Sequence, residues 1–198
     1  MNHQEYLILS SRTAAHEDNI PLSFMHGVVG MISEWTELTT AGDNVNIREE
    51  CGDFMWYHAN GVRAIQRIAL PMVRVPGPED ALESTLAAFQ HGDPDLYKIS
   101  EHLFLQRMSE LCDMSKRWVF YGSRPNVDEA VIALNKALSF ALLRATIQMM
   151  AGAPLGPLSK IREINIAKLL KRFPNKFTED SALIRNLGLE RATMEAMA

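Results

Sequence analysis

The chain has 198 residues, 47% of them hydrophobic and 22% charged, with a formal net charge of −4. That length holds one substantial core or two small fused ones, and the composition is that of a globular chain. Basic and acidic residues are interspersed, which argues against a protein that coats nucleic acid and leaves a small phosphorylated ligand compatible. The two cysteines, Cys51 and Cys112, lie in helical patterns without a CxxC partner and read as free thiols of a reducing compartment.

The N-terminal stretch MNHQEYLILSSRTAAHED lacks a basic start, a long apolar run and a small-residue cleavage site. No signal peptide and a cytoplasmic location are therefore expected. A first helix is expected over Gln4–His16, and a second from Pro21, a residue favoured in a first turn, to about Thr39. Ala41–Asn44 reads as a turn, with Gly42 and Asn44 expected to supply left-handed conformations. A third helix is expected over Asn46–Ala69. It ends before PMVRVPGPED, the one clear internal boundary.

Further helices are expected near Glu79–Gln90, Asp95–Phe120, Val127–Met150 and Ser159–Lys171, with a short one over Glu179–Glu195. The most apolar stretch, Ala130–Met150, is interrupted by Asn135, Lys136, Arg144 and Gln148 and reads as a buried helix, not a membrane span. No run alternates apolar and polar residues for long, so the expected fold is an all-α bundle of seven or eight helices without a sheet.

One internal echo stands out. Ser33-Glu34-Trp35-Thr36-Glu37-Leu38 is repeated in kind by Ser109-Glu110-Leu111-Cys112-Asp113-Met114, each followed by a turn and a long apolar helix. The second long helix has Ala133 and Lys136 where the first has Glu50 and Asp53. A duplicated helical hairpin whose second copy has lost its carboxylates accounts for this pattern.

Residues three apart share one face of a helix. Glu34 and Glu37 therefore project together, as do Glu50 and Asp53. If the two helices pack antiparallel across the turn, four carboxylates converge, and like charges at close range need a positive partner. A hard divalent cation with oxygen ligands, Mg²⁺ first among them, supplies it. Acidic pairs of this spacing also occur at 80/83 and 110/113, about as many as composition alone provides. The first two pairs differ in context, because they sit on adjacent helices among apolar residues such as Met31, Ile32, Leu38 and Phe54. A di-iron bundle would need Glu-x-x-His pairs, and the sequence has none.

Ser33-Glu34-x-x-Glu37 followed by Glu50-Cys51-Gly52-Asp53-Phe54-Met55-Trp56-Tyr57 resembles the ExxE…ExxD signature of MazG-type nucleoside triphosphate pyrophosphohydrolases. Asn165-Ile166-Ala167-Lys168-Leu169-Leu170-Lys171-Arg172-Phe173-Pro174 is similar to a second element of that family, Asn-x-x-Lys-Leu-x-x-Arg-Tyr-Pro, and Lys176 and Phe177 follow it. The resemblance covers 24–62 and 164–177, and reaches the middle of the chain only through the second hairpin.

What the resemblance implies is Mg²⁺-dependent hydrolysis (Mn²⁺ substituting) between the α- and β-phosphates of a nucleoside triphosphate. Glu34, Glu37, Glu50 and Asp53 would hold the metal, and Glu34 or Glu37 would orient or deprotonate a water. Lys168 and Arg172 would neutralise the leaving pyrophosphate, Asn165 would hydrogen-bond it, and Tyr57 would stand beside the sugar or base. Family members dimerise through such hairpins, so the chain reads as a fused pseudo-dimer of one all-α domain over 1–198. In it 1–70 carries the intact hairpin, 79–153 the degenerate one and 158–198 the phosphate-binding helix and tail. Homo-oligomers remain open, whereas nucleic-acid and membrane partners are not expected.

Trp35 and Trp56 are either core or the walls of a base pocket, and His26 and His58 read as ordinary helix positions. Glu49, turned away from Glu50, is expected to face solvent or support the site from behind. Lys116, Arg117 and Arg124 read as a solvated surface unless the second hairpin brings them to the phosphates. The reading from a different class is a non-catalytic helical scaffold that binds nucleotide or a partner protein. Base and sugar preference are not written in any local motif.

Overall fold

The computed structural model describes residues 1–15, 18–69, 96–149, 153–175, 177–183 and 186–197. Among them are eight α-helices and no strand: α1 His3–Ser11, α2 Ile20–Thr40, α3 Asn44–Gln66, α4 Leu96–Tyr121, α5 Val127–Gln148, α6 Leu158–Arg172, α7 Glu179–Leu183 and α8 Leu187–Met197. The expected all-α class holds. The helix expected at Glu79–Gln90 and the stretch PMVRVPGPED lie outside the described residues.

Side-chain caps set most helix starts. Asn2 accepts from the Glu5 N–H and Glu5 returns the bond to the Asn2 N–H, a reciprocal box that opens α1. Asn19, Asp43 and Asn126 cap α2, α3 and α5. Three expectations need correction. The first helix stops at Ser11 and not His16, because the hydroxyls of Ser10, Ser11 and Thr13 turn back to carbonyls three residues earlier and compete with helix propagation. The C-terminal helix is two helices, since the Asn186 side chain accepts from the Leu189 N–H and starts α8 afresh. The Gly42 turn uses no left-handed residue: Ala41 leaves α2 in an extended conformation and Asn44 already belongs to α3. The left-handed glycine that ends a long helix is Gly122 (φ 69°), which lets its own and Ser123's N–H return to the carbonyls of Trp118 and Arg117.

The helices α2 and α3 form an antiparallel hairpin, and α4 and α5 form a second one laid against it. Trp35 stacks on Phe104 at 3.9 Å while Phe24 meets Trp118 at 5.6 Å, so α4 runs antiparallel to α2. Gln148 donates to the carbonyls of Leu38 and Ala41, whereas Asn135 reaches His58, so α5 runs antiparallel to α3. Burial pushes the His58 ring down to about 3, so it stays neutral and its Nε2–H donates to Asn135 Oδ1 at 3.0 Å. The apolar helix α5 has the length and mean hydropathy (1.5) of a membrane span, yet 78% of that window is buried inside the protein. It is the central core helix. Against the open side of α3 lie α1 and α6, and α8 packs on α6.

The α2–α3 crossing is tight because glycines line it. A Cβ on Gly27 would stand 2.7 Å from the Gly61 nitrogen and the Tyr57 carbonyl oxygen, and one on Gly30 would collide with the Tyr57 ring. Gly61 in turn faces Leu134 of α5, whose Cδ2 would be 2.9 Å from an added methyl. Gly27→Ala is therefore expected to destabilise the fold by about 1–3 kcal/mol, because backbone cannot step aside. Gly42→Ala, with no atom within 4 Å of the new methyl, is expected to stay within about 0.5 kcal/mol of wild type. Thermal or denaturant melts of the two variants check the contrast, and equal losses would show that the crossing is not glycine-limited.

Candidate functional site

The antiparallel hairpin does what helical spacing requires. Glu34 and Glu37 on α2 face Glu50 and Asp53 on α3, one turn apart on each helix. One carboxylate oxygen each from Glu34, Glu50 and Asp53 lie within 4.8 Å of one another, and this trio could hold a metal ion. Glu37 stands outside that trio but lines the same cavity, as does Glu49. The cavity measures about 660 Å³. Its acid-rich end lies at the hairpin turn. Towards the other end, along the helices, come His26, Trp56 and Tyr57, and the C-terminal part of the chain adds Phe173, Phe177 and Leu187 to the lining. Within this aromatic end the His26 ring meets Trp56 and Tyr57 edge-on at 5.8 and 5.4 Å. Trp56 is fixed by an indole N–H bond to Thr13 Oγ1 at 2.9 Å.

Helix α6 delivers the basic residues. The Lys168 ammonium is almost fully buried and pairs with Asp53, with Glu49 at 3.3 Å. Burial opposes its charge, but Asp53 and Glu49 outweigh that and hold its pKa above the ordinary lysine value. Asn165 donates from Nδ2 to Asp53 Oδ1 at 2.7 Å and is not among the residues lining the cavity. Arg172 does line it, while its guanidinium donates to the carbonyls of Ser181 and Ala182 in α7 and lies over the Phe173 ring. The structure thus gathers Glu34, Glu37, Glu50, Asp53, Tyr57, Lys168 and Arg172 around one cavity and sets Asn165 behind it.

Among the remaining candidates, Glu49 supports the site through Lys168. Trp35 belongs to the core and does not line the cavity. Arg117 and Arg124 line a different cavity, beside the α4–α5 connection, and Lys116 pairs with Asp113 at 2.7 Å on its own helix. Sequence reading missed Thr13 and Leu187 as lining residues, since neither stands in a motif or at a helical spacing from one.

Burial first, and charge crowding after it, shape the site's acidity. Burial, then Asp53, Glu37 and Glu50, pushes the Glu34 carboxyl up to about 9; burial, then Asp53, Glu49 and Glu37, pushes Glu50 up to about 7. Tyr57 rises to about 12 through burial and the neighbouring acids, so its hydroxyl keeps its proton. At neutral pH the metal-free cluster therefore relieves its repulsion by keeping protons, and a divalent cation would do the same work by displacing them. Comparison with protein-family models, with curated proteins and with solved structures finds no match to this chain.

A carboxyl whose pKa is raised by folding stabilises the fold fully below its unfolded value, and that contribution is lost as pH rises through the folded one. For Glu34 the window runs from the ordinary carboxylate range, near 4.5, up to about 9. In chelator at pH 8, Glu34→Gln is thus expected to be more stable than wild type by at least about 1 kcal/mol, raising the melting temperature by roughly 2–4 °C or more. The gain should vanish near pH 4. A variant that melts below wild type at pH 8 would show that burial and the neighbouring acids do not destabilise a charged Glu34.

Proposed function

We propose that this chain is a metal-dependent nucleoside triphosphate pyrophosphohydrolase of the MazG type, hydrolysing its substrate to monophosphate and pyrophosphate. The observation that carries the reading is the convergence of Glu34, Glu50 and Asp53 within 4.8 Å on the wall of a cavity with an aromatic far end. The donor set fits the group: these are hard oxygen ligands, and five carboxylates face one buried ammonium, leaving room for more positive charge. A volume of about 660 Å³ is in the range of small-molecule sites. When bound, Mg²⁺ supplies charge for phosphate oxygens and a water of lowered pKa.

The chain's own residues take the remaining roles. Glu34, Glu50 and Asp53 hold the cation. Glu37, on the cavity wall outside that trio, is the carboxylate left to orient the attacking water and accept its proton. Lys168 is within reach of both acids and entering phosphates, and Arg172 reaches phosphate if it exchanges the α7 carbonyls for a more strongly attracting anion. Tyr57, Trp56 and His26 offer flat faces and edges to the base and sugar.

The second hairpin is read here as a fused, degenerate copy of the first. Its antiparallel placement against α2–α3 supports this, as do Glu110 and Asp113 at the places of Glu34 and Glu37. Each of those acids is neutralised on its own helix, by Arg107 and Lys116 at 2.7 Å. Buried Ala133 and exposed Lys136 replace the other two acids, so this half demands no cation.

One observation favours the scaffold reading: Lys168 and Arg172 already have partners inside the protein, so the fold balances part of its charge without ligand. The two readings part on turnover. Pyrophosphate release from the eight common ribo- and deoxyribonucleoside triphosphates with Mg²⁺ is expected from wild type, and Glu50→Ala should lower it on the order of a hundredfold or more. Release unchanged in Glu50→Ala would remove the carboxylates from the reaction. No release from a folded, metal-binding wild type would favour the scaffold.

A further inference from the structure

We infer that Tyr6, on the first helix and outside every motif described above, is a positioning residue that sets the Asp53 carboxylate for metal binding by fixing the amide of Asn165. The inference rests on the reading of Glu34, Glu50 and Asp53 as a metal site. A carboxylate only accepts hydrogen bonds, so the Asn165 group facing Asp53 must be the Nδ2 donor, 2.7 Å from Oδ1. Its Oδ1 is then turned the other way, into a buried region, and there the Tyr6 hydroxyl donates to it at 2.8 Å. Both side chains are nearly inaccessible, Tyr6 at 1% and Asn165 at 3%, so bulk water does not compete with the phenol for that oxygen. The same hydroxyl lies 3.3 Å from the Gly52 carbonyl oxygen, next to Asp53 in the chain.

Gly52 completes the arrangement. A Cβ there would stand 3.0 Å from Asn165 Cβ and 3.1 Å from Nδ2, so the missing side chain is what seats the amide beside Asp53. The order of contacts is therefore Tyr6, Asn165, Asp53, running from α1 through α6 to α3. Lys168 engages the other Asp53 oxygen, Oδ2. With both oxygens held, the carboxylate is kept in one rotamer, and groups that orient a ligand in this way sustain metal affinity. Removing the phenol oxygen leaves Asn165 Oδ1 buried without its donor, and the amide gains reason to turn from Asp53.

Mn²⁺ binding to the full chain, followed by calorimetry or electron paramagnetic resonance, tests this without reference to turnover. Tyr6→Phe keeps the ring and its packing, and should weaken Mn²⁺ binding roughly 3- to 10-fold, and Asn165→Ala on the order of 10- to 100-fold. In the Asn165→Ala background, Tyr6→Phe should have no further effect, because the hydroxyl acts through that amide. Wild-type affinity in a folded Tyr6→Phe would overturn the proposal. So would the same Tyr6→Phe penalty with and without the amide, since the hydroxyl would then act independently of Asn165, or failure of Tyr6→Phe to fold, which would make the hydroxyl a structural group. A wild type that binds no Mn²⁺ would instead remove the metal reading, and this proposal with it.

Discussion

Crowding five carboxylates along one seam of an apolar hairpin costs electrostatic free energy, and the surrounding structure is organised against that cost. Lys168 is brought from a distant part of the sequence and buried against Asp53 and Glu49. Protons stay on Glu34 and Glu50 well above the usual carboxylate range. An ion pair of this kind is not a cheap source of stability, because a buried charge gives up its hydration before it gains a partner. Its value lies in orientation. The ammonium and the Asn165 amide bracket Asp53 from α6 while Glu34 approaches from α2. Three helices must dock correctly before the acids can coexist.

The close α2–α3 crossing is what makes the seam narrow. Gly27 and Gly61 allow backbone to meet backbone, and Gly30 receives the Tyr57 ring. Larger residues at positions 27 and 61 would spread the helices and with them the acid pairs, and a looser cluster would feel less mutual repulsion. The tightness of the crossing and the acidity of the site are therefore one property seen twice. The second hairpin holds this geometry from behind, with Trp35 on Phe104 and Leu134 against Gly61 keeping α2 and α3 from parting.

Much of this was legible in the sequence wherever the rule was local. Acidic pairs three apart, the start of α2 at Pro21, and the long apolar run of α5 each follow from helical periodicity or from a residue's fitness for a first turn. The hairpin that joins the two acid pairs was legible because a short turn leaves little choice of packing. What periodicity could not reveal depends on contacts between distant segments. The burial of Lys168 against Asp53 needs α6 to lie on α3, and the tie of Arg172 to the Ser181 and Ala182 carbonyls needs the chain to fold back after Pro174. Local rules also misplaced some features: Gly42 looked like a left-handed turn residue, but an extended Ala41 makes one unnecessary. The first helix looked longer than it is because hydroxyls that reach back to the backbone leave the apolar pattern intact.

Gly30 has a consequence for the capacity of the cavity. It does not line that space, yet the ring of Tyr57, which does, rests in the notch its missing side chain provides. A methyl at position 30 would collide with Cδ1 of that ring and displace it, changing the shape of the aromatic end. Position 30 is thus a shape dial set one layer behind the wall. Drift there would alter which molecules fit before it altered what chemistry the acids can do.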